Sequence, residues 1–132
     1  MIEVAAIILV KNNKVLVARR GKGDPLEGKW EFPGGKIEVN ETPEECLKRE
    51  LREEFMVEVV VGDFFAESNY SYNHADIHLL AYFGRIYDGS PIPLGHAEFC
   101  WVRLKELKKY DFAFADQPIV EKLLDAGITL KK

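Results

Sequence analysis

Residues 3–10 form an apolar run, the pattern of a strand covered on both faces. Lys11-Asn12-Asn13-Lys14 reads as a turn and 15–18 as a second strand, which together predict a hairpin. The pattern lapses from Arg19 to Lys29, where glycines, a proline and charges mark a surface loop. It returns at 30–35 as a short strand running into a tight turn at Gly34-Gly35. Thr42-Pro43-Glu44-Glu45 opens a helix: threonine can cap, proline suits the first helical position, and Glu45 completes a capping box. The helix is predicted to reach about Phe55, with Leu47, Leu51 and Phe55 as its apolar stripe. Strands are predicted at 57–61 and 64–72, broken at Gly62-Asp63, then at 77–86 beyond a loop near Asn73-His74. A turn at 88–91 and a short strand at 98–102 around Trp101 follow. Asp116-Gln117-Pro118 opens a last helix at roughly 119–125, ended by Gly127. This order predicts an α/β fold, a central mixed sheet with helices on its faces, and a single domain over 1–132.

Composition agrees: 47% hydrophobic and 30% charged residues describe a folded domain with a real core, neither disordered nor membrane-spanning. Cys46 and Cys100 stand far apart without a CxxC pair, which removes zinc-knuckle and thioredoxin-type chemistry. Both read as buried free thiols. The first apolar run has no basic segment before it and is ended by Lys11, so it reads as a strand, and the protein as cytoplasmic. The net charge of −4 argues against duplex nucleic acid. Its distribution changes the picture: residues 41–54 carry −3 and residues 11–22 carry +5. The divided charge therefore does not argue against a small anionic ligand carried in with a cation.

The acidic helix holds the informative chemistry. Glu50, Glu53 and Glu54 are spaced i, i+3, i+4, so their carboxylates share one face and repel one another. That face is either solvated, with Lys48 and Arg52 nearby, or it holds a hard divalent cation such as Mg2+, which takes carboxylate oxygens and keeps waters for phosphates. Gly34-Gly35 lies just upstream, where a backbone can approach a ligand closely, and Arg49 stands ready to orient Glu50. The stretch is not a P-loop: Ile37 follows Lys36 where Ser or Thr is needed.

Gly35, five residues, Glu41, seven residues, Arg49-Glu50-Leu51-Arg52-Glu53-Glu54 and then Val57 resemble the signature of the Nudix hydrolases. The resemblance covers roughly residues 3–125 and is nearest to the MutT-like branch, through Arg19-Arg20, Glu31-Phe32-Pro33-Gly34-Gly35-Lys36 and Ala115-Asp116-x-Pro118-Ile119. It implies an α/β/α sandwich around a mixed sheet. It also implies hydrolysis of a nucleoside triphosphate, modified or surplus, to monophosphate and pyrophosphate, with 8-oxo-dGTP or (d)CTP and its derivatives as the expected substrates. Glu50, Glu53, Glu54 and the Gly34 carbonyl would hold Mg2+, or Mn2+ in its place. Arg49 would orient Glu50, and either Glu53 or Glu50 would activate water. There are two departures. Met56 stands where the family has a helix-ending glycine, which implies a cost of about 1 kcal/mol at the helix end. Gly95 stands where many relatives carry a late-loop glutamate; Glu98 is a candidate replacement, and His96 beside it reads as a surface residue.

Arg19, Arg20 and Lys36 are candidate phosphate contacts, or merely solubilising. Asp116 is a candidate base reader: an ionised aspartate only accepts and so suits cytosine N4, a protonated one reverses that preference, and the bland alternative is a helix cap. Phe32, Tyr70, Tyr72 and Phe114 are candidate stacking partners, or core. The partner expected is a small-molecule nucleotide, with neither duplex nor membrane, acting on a monomer or homodimer. The competing readings are a hydrolase of ADP-ribose or dinucleoside polyphosphates, and an inert Nudix-like binding module.

Overall fold

The computed structural model describes residues 1–126 and Leu130. Strands β1 (Ile2–Lys11) and β2 (Lys14–Arg19) form the expected hairpin, with Asn12 and Asn13 at positive φ in the turn, a conformation asparagine tolerates well. Two short strands follow, β3 (Trp30–Glu31) and β4 (Gly34–Lys36), then helix α1 (Pro43–Phe55). The long strands β5 (Glu58–Ser71) and β6 (Asp76–Asp88), the short β7 (Glu98–Val102) and helix α2 (Gln117–Asp125) complete the order.

The sheet is mixed, in the order β3-β2-β1-β6-β5, with β4 on β1 and β7 on β2. β1 is its hinge. It runs parallel to β6 from Ile2↔Ile77 to Leu9↔Gly84, pairs antiparallel with β4 at Ala5↔Gly35, and hands over to β2 at Val10↔Val15. Because successive strand side chains point to opposite faces, β1 supplies two cores. Ala5, Ile7 and Leu9 pack with Leu47, Leu51 and Phe55 of α1, whereas Ala6 and Ile8 pack with Ile119, Val120 and Leu123 of α2. The unbroken apolar run is thus the mark of a strand with a helix on each side.

Three local expectations change. The Gly62-Asp63 break does not end a strand: β5 continues through it as an irregular ladder, with register shifts around Phe64, because β6 lies opposite along its whole length. Two 3-10 helices, Leu104–Lys109 and Phe114–Asp116, occupy stretches too short to show any periodicity. The last helix begins at Gln117; Gly127, its expected end, lies outside the described residues. At the end of α1 the helix keeps its shape. Met56 itself adopts the left-handed cap (φ 57, ψ 41), its N–H donates to the Arg52 carbonyl, and its side chain stays exposed. The cost of about 1 kcal/mol is therefore borne as backbone strain.

Candidate active site

The carboxylates of α1 are placed by the helix start. The capping box forms as expected, with Thr42 Oγ1 accepting from Glu45 N–H and Glu45 Oε1 from Thr42 N–H. Two turns on, Arg49 becomes the hub of the site. Its Nε and Nη2 donate to the two oxygens of Glu41 (2.7 and 2.9 Å), its Nη1 donates to Glu50 Oε2 (3.0 Å), and Nη2 also reaches the Lys36 carbonyl (3.1 Å). The guanidinium holds the Glu41 carboxyl at a pKa of about 2 and fixes which way Glu50 faces. Cys46, fully buried, donates from Sγ to the Gly35 and Lys36 carbonyls (3.4 Å each); burial pushes its thiol up to about 12, so it remains a structural thiol tying the glycine bend to the helix. Cys100 is also free but only half-buried.

The glycine bend is tight on both sides. A Cβ on Gly34 would overlap the Ala5 carbonyl of β1, and one on Gly35 would overlap the Glu50 carboxylate. Glycine at 34 lets β4 sit against the backbone of β1, and glycine at 35 leaves room for the Glu50 carboxylate. The bend, Glu50 and Glu54 open on a cavity of about 360 Å3 that is also lined by Lys36, Arg20, Phe32, Tyr72 and Asp116. The chain therefore brings most of the expected residues to one place. Glu53 is the outlier: its side chain is 60% exposed and leans toward Arg49 Nη1 (3.5 Å), outside the cavity wall. Glu54 is half-buried, and burial together with the nearby charge of Glu50 raises its carboxyl to about 7.

Several residues sit differently from expectation. Arg20 lines the cavity, but its fork is occupied: Nε and Nη2 hold Asp24 (both 2.7 Å) and Nη1 holds Glu31 (2.6 Å). Arg19 pairs with Glu98 (2.8 Å) away from the cavity, so Glu98 does not take the place left by Gly95. Both arginines of the basic stretch are thus paired with their own neighbours. Phe32 is 2% exposed and packs on Phe112, so its ring is core and not an open stacking platform. Tyr72 accepts the Ala115 N–H at its hydroxyl (2.8 Å) and lies against Tyr70, which stacks on Phe114; of these three rings only Tyr72 lines the cavity. Asp116 makes no side-chain cap on α2. Its Oδ2 accepts the Phe32 N–H (3.0 Å), and burial, reinforced by the charge of Glu31, lifts its carboxyl well above the usual range. Burial thus disfavours the ionised acceptor, and a protonated Asp116 can donate as well as accept.

Two residues were missed. His96 is not a surface residue: its side chain is 4% exposed and its ring stacks on Phe55 at 5.2 Å. Glu31 links it to Arg20, accepting from Arg20 Nη1 and meeting His96 Nε2 at 2.8 Å. Nothing in the local pattern of the 92–97 loop marks a buried histidine; only the pairing of that loop's backbone with α1 and β2 carries it inward.

The donor set suits a hard divalent cation. Glu50 and Glu54 crowd together, Glu54 has its charge suppressed, and His96 Nδ1 is a buried polar atom without a partner in the same cavity. Among the described residues no three acidic, histidine or cysteine side chains already form a metal cluster, so backbone carbonyl, water and substrate oxygens would complete the coordination. No helix among the described residues is long and apolar enough to cross a membrane.

Comparison with known proteins agrees with this geometry. A model of the NUDIX domain matches residues 1–123. The chain is 36% identical over 121 residues to the CTP pyrophosphohydrolase of Escherichia coli (strain K12), covering 92% of this chain and 90% of that protein. It is 34% identical over 119 residues to the 8-oxo-dGTP diphosphatase of the same organism, covering 89% and 91%. Among solved structures, the E. coli ORF135 protein superposes with a TM-score of 0.82 at 35% identity, over 95% of this chain and 89% of that one. The MutT protein of methicillin-resistant Staphylococcus aureus 252 superposes with a TM-score of 0.76 at 36% identity, over 96% and 97%. Matches of this extent, on a fold that gathers Gly35, Glu41, Arg49, Glu50 and Glu54 as the signature requires, show that the chain belongs to the NUDIX domain family.

Proposed function

We propose that this protein is a Mg2+-dependent nucleoside triphosphate pyrophosphohydrolase, acting as one domain over 1–132 on small-molecule nucleotides and releasing a nucleoside monophosphate and pyrophosphate. The observation that carries the reading is a single cavity, about 360 Å3 in volume, lined both by the α1 carboxylates with the Gly34-Gly35 bend and by Asp116. The phosphates and the base of one nucleotide would then meet chemically distinct groups. Nudix hydrolases generally need a divalent metal ion. Here Glu50, Glu54 and the Gly34 carbonyl would hold it, with Glu53 able to join by a side-chain rotation, and Mn2+ is expected to replace Mg2+. When bound, the ion offsets the repulsion between triphosphate and carboxylates and stabilises charge as the phosphorus–oxygen bond breaks.

The chain's own groups do the rest. Arg49 holds Glu50 in place through the Glu41 anchor. Glu53 or Glu50 takes a proton from the attacking water, the exposed Glu53 being the freer of the two to do so. Lys36 supplies positive charge at the cavity mouth. Asp116, with its raised pKa, reads the base by donating and accepting, which suits a keto oxygen such as guanine O6 as well as an exocyclic amine. CTP, dCTP and 8-oxo-dGTP are therefore all substrates to test.

The test is Mg2+-dependent pyrophosphate release, as kcat/KM, across CTP, dCTP, 5-methyl-dCTP, 8-oxo-dGTP and dGTP, with ADP-ribose alongside. Release from at least one triphosphate is expected; cleavage of ADP-ribose alone would overturn the reading. Asp116→Asn is expected to change the ranking of bases, and an unchanged ranking would remove Asp116 from base recognition.

A further inference from the structure

His96 is the buried group for which the function so far has no use. Its loop is fastened to the end of α1, with Ile92 N–H donating to the Phe55 carbonyl (3.0 Å) and Leu94 N–H to the Glu54 carbonyl (2.9 Å), and to β2 through Ala97 N–H and the Arg19 carbonyl (2.9 Å). Gly95 lets the loop lie directly on Glu54: a Cβ there would stand 3.0 to 3.3 Å from that side chain's carbons. The ring is then pinned between Phe55 and Glu31.

The pinning assigns the two ring nitrogens. Glu31 meets Nε2 at 2.8 Å and already accepts from Arg20, so as a carboxylate it can only accept, and Nε2 donates. In the neutral ring Nδ1 then carries a lone pair. Nδ1 is the buried side-chain atom left without a partner among the described residues, and the nearest charged group is Glu54 Oε1 at 3.7 Å, beyond hydrogen-bond reach. Nδ1 and Glu54 Oε1 thus face each other across a gap in the cavity wall that neither closes directly. Such a gap is satisfied by a bridging hydrogen-bond donor, and a hard cation such as Mg2+ prefers carboxylate and water oxygens to an imidazole nitrogen.

We propose that His96 is a positioning residue of the metal site: its Nδ1 accepts a hydrogen bond from a water carried by the divalent ion beside Glu54, and the Arg20–Glu31–His96 chain holds Nδ1 in the accepting form. The inference rests on the metal-site reading above. It gives Arg20 a role through Glu31 and His96, without release from its ion pairs. Partners that orient metal-bound groups typically change metal affinity about 10- to 100-fold when removed.

The test is Mn2+ binding to the protein without nucleotide, followed by loss of the free-ion EPR signal, in the wild type, His96→Gln and His96→Asn. Glutamine can keep the donor toward Glu31 but lacks an acceptor at the Nδ1 position; asparagine can keep the acceptor. His96→Gln is expected to bind Mn2+ about 10-fold or more weakly, with a melting temperature like that of the wild type, and His96→Asn to bind within about threefold of wild type. Equal affinity in His96→Gln, or His96→Asn as weak as His96→Gln, overturns the proposal. So does a nitrogen coupling in the Mn2+ spectrum that disappears in His96→Gln, because that is direct ligation. A second measurement needs no variant: long-range 15N–1H spectra of the wild type are expected to show Nε2–H and a lone-pair Nδ1 that shifts on adding Mg2+. A protonated or unmoved Nδ1 overturns it equally. Wild-type protein that neither binds Mn2+ nor hydrolyses any triphosphate defeats the metal-site reading itself and this inference with it. If the wild type does both and His96→Gln matches its affinity, only the role of His96 fails.

Discussion

The cavity is built around two arginine hubs with nearly the same chemistry. Arg49 holds Glu41 through two nitrogens and Glu50 through a third; Arg20 holds Asp24 through two and Glu31 through a third. Both are part-buried forks of the kind lysine cannot copy. Their reach differs. Arg49 touches a candidate metal-holding carboxylate directly, and all its side-chain partners lie within the 41–53 stretch. Arg20 acts two residues away, through Glu31 to His96 and so toward Glu54 from another loop. Identical local chemistry can thus serve as a primary clamp or as a remote brace, and only the fold decides which.

The sharpest way to probe the Arg49 side is Gly35→Ala. The new methyl must displace the Glu50 carboxylate, a flexible group, and not the backbone. A drop in kcat/KM of about 100-fold is expected, since displacements near 1 Å cost that much, with the melting temperature nearly unchanged. Full activity would mean Glu50 is not held where the clamp places it. Next in size, Arg49→Lys is expected to lower kcat/KM about 30-fold and Arg20→Lys about fivefold, within or below the range for groups that orient metal ligands. If the two losses are equal, or Arg20→Lys is the worse, the comparison breaks and Arg20 must meet substrate itself.

The two sides should also respond to pH with opposite sign. Glu41 has its pKa lowered from 4.5 to about 2, so it adds stability above pH 4.5 that is lost as pH falls through 2. Glu54 has its pKa raised from 4.5 to about 7, so the folded chain takes up a proton that the unfolded chain releases. Its contribution therefore declines as pH rises from about 4.5 to about 7 in metal-free protein. Melting curves of chelator-treated protein should show that decline, Glu54→Gln should flatten it, and added Mg2+ should reverse it at pH 8. A decline that survives Glu54→Gln would mean another group is responsible. The smallest effect is expected at Met56→Gly, outside both hubs: about 1 kcal/mol of added stability from relief of the left-handed cap, read from the urea midpoint, with kcat/KM unchanged. A change in activity there would tie the helix end to the Arg49 side.

The helix, its cap and its carboxylate face were legible because they depend on neighbours in sequence. Thr42 and Glu45 pair across three residues, and Arg49 finds Glu41 and Glu50 through one helix and the bend before it. The hairpin at Asn12-Asn13 and the two-faced burial of β1 were legible for the same reason, the period of the side chains. The state of Asp116, left open between an ionised acceptor and a protonated donor, was not legible, because its charge depends on burial and on Glu31, 85 positions away. Phe32 took the core alternative of its two readings, whereas the loop histidine, read as a surface residue, is buried and lines the cavity.

By itself the sequence determined the family signature, the order of elements and the carboxylate triad, since each is set by short-range spacing and capping. Only the tertiary structure decided that Glu53 stands outside the cavity wall, that Arg20 is committed to Asp24 and Glu31, and that His96 turns a buried, unpartnered Nδ1 toward Glu54. Those outcomes depend on which distant loops share a low-dielectric cavity, and both burial and pairing there are properties of the folded chain that no local pattern carries.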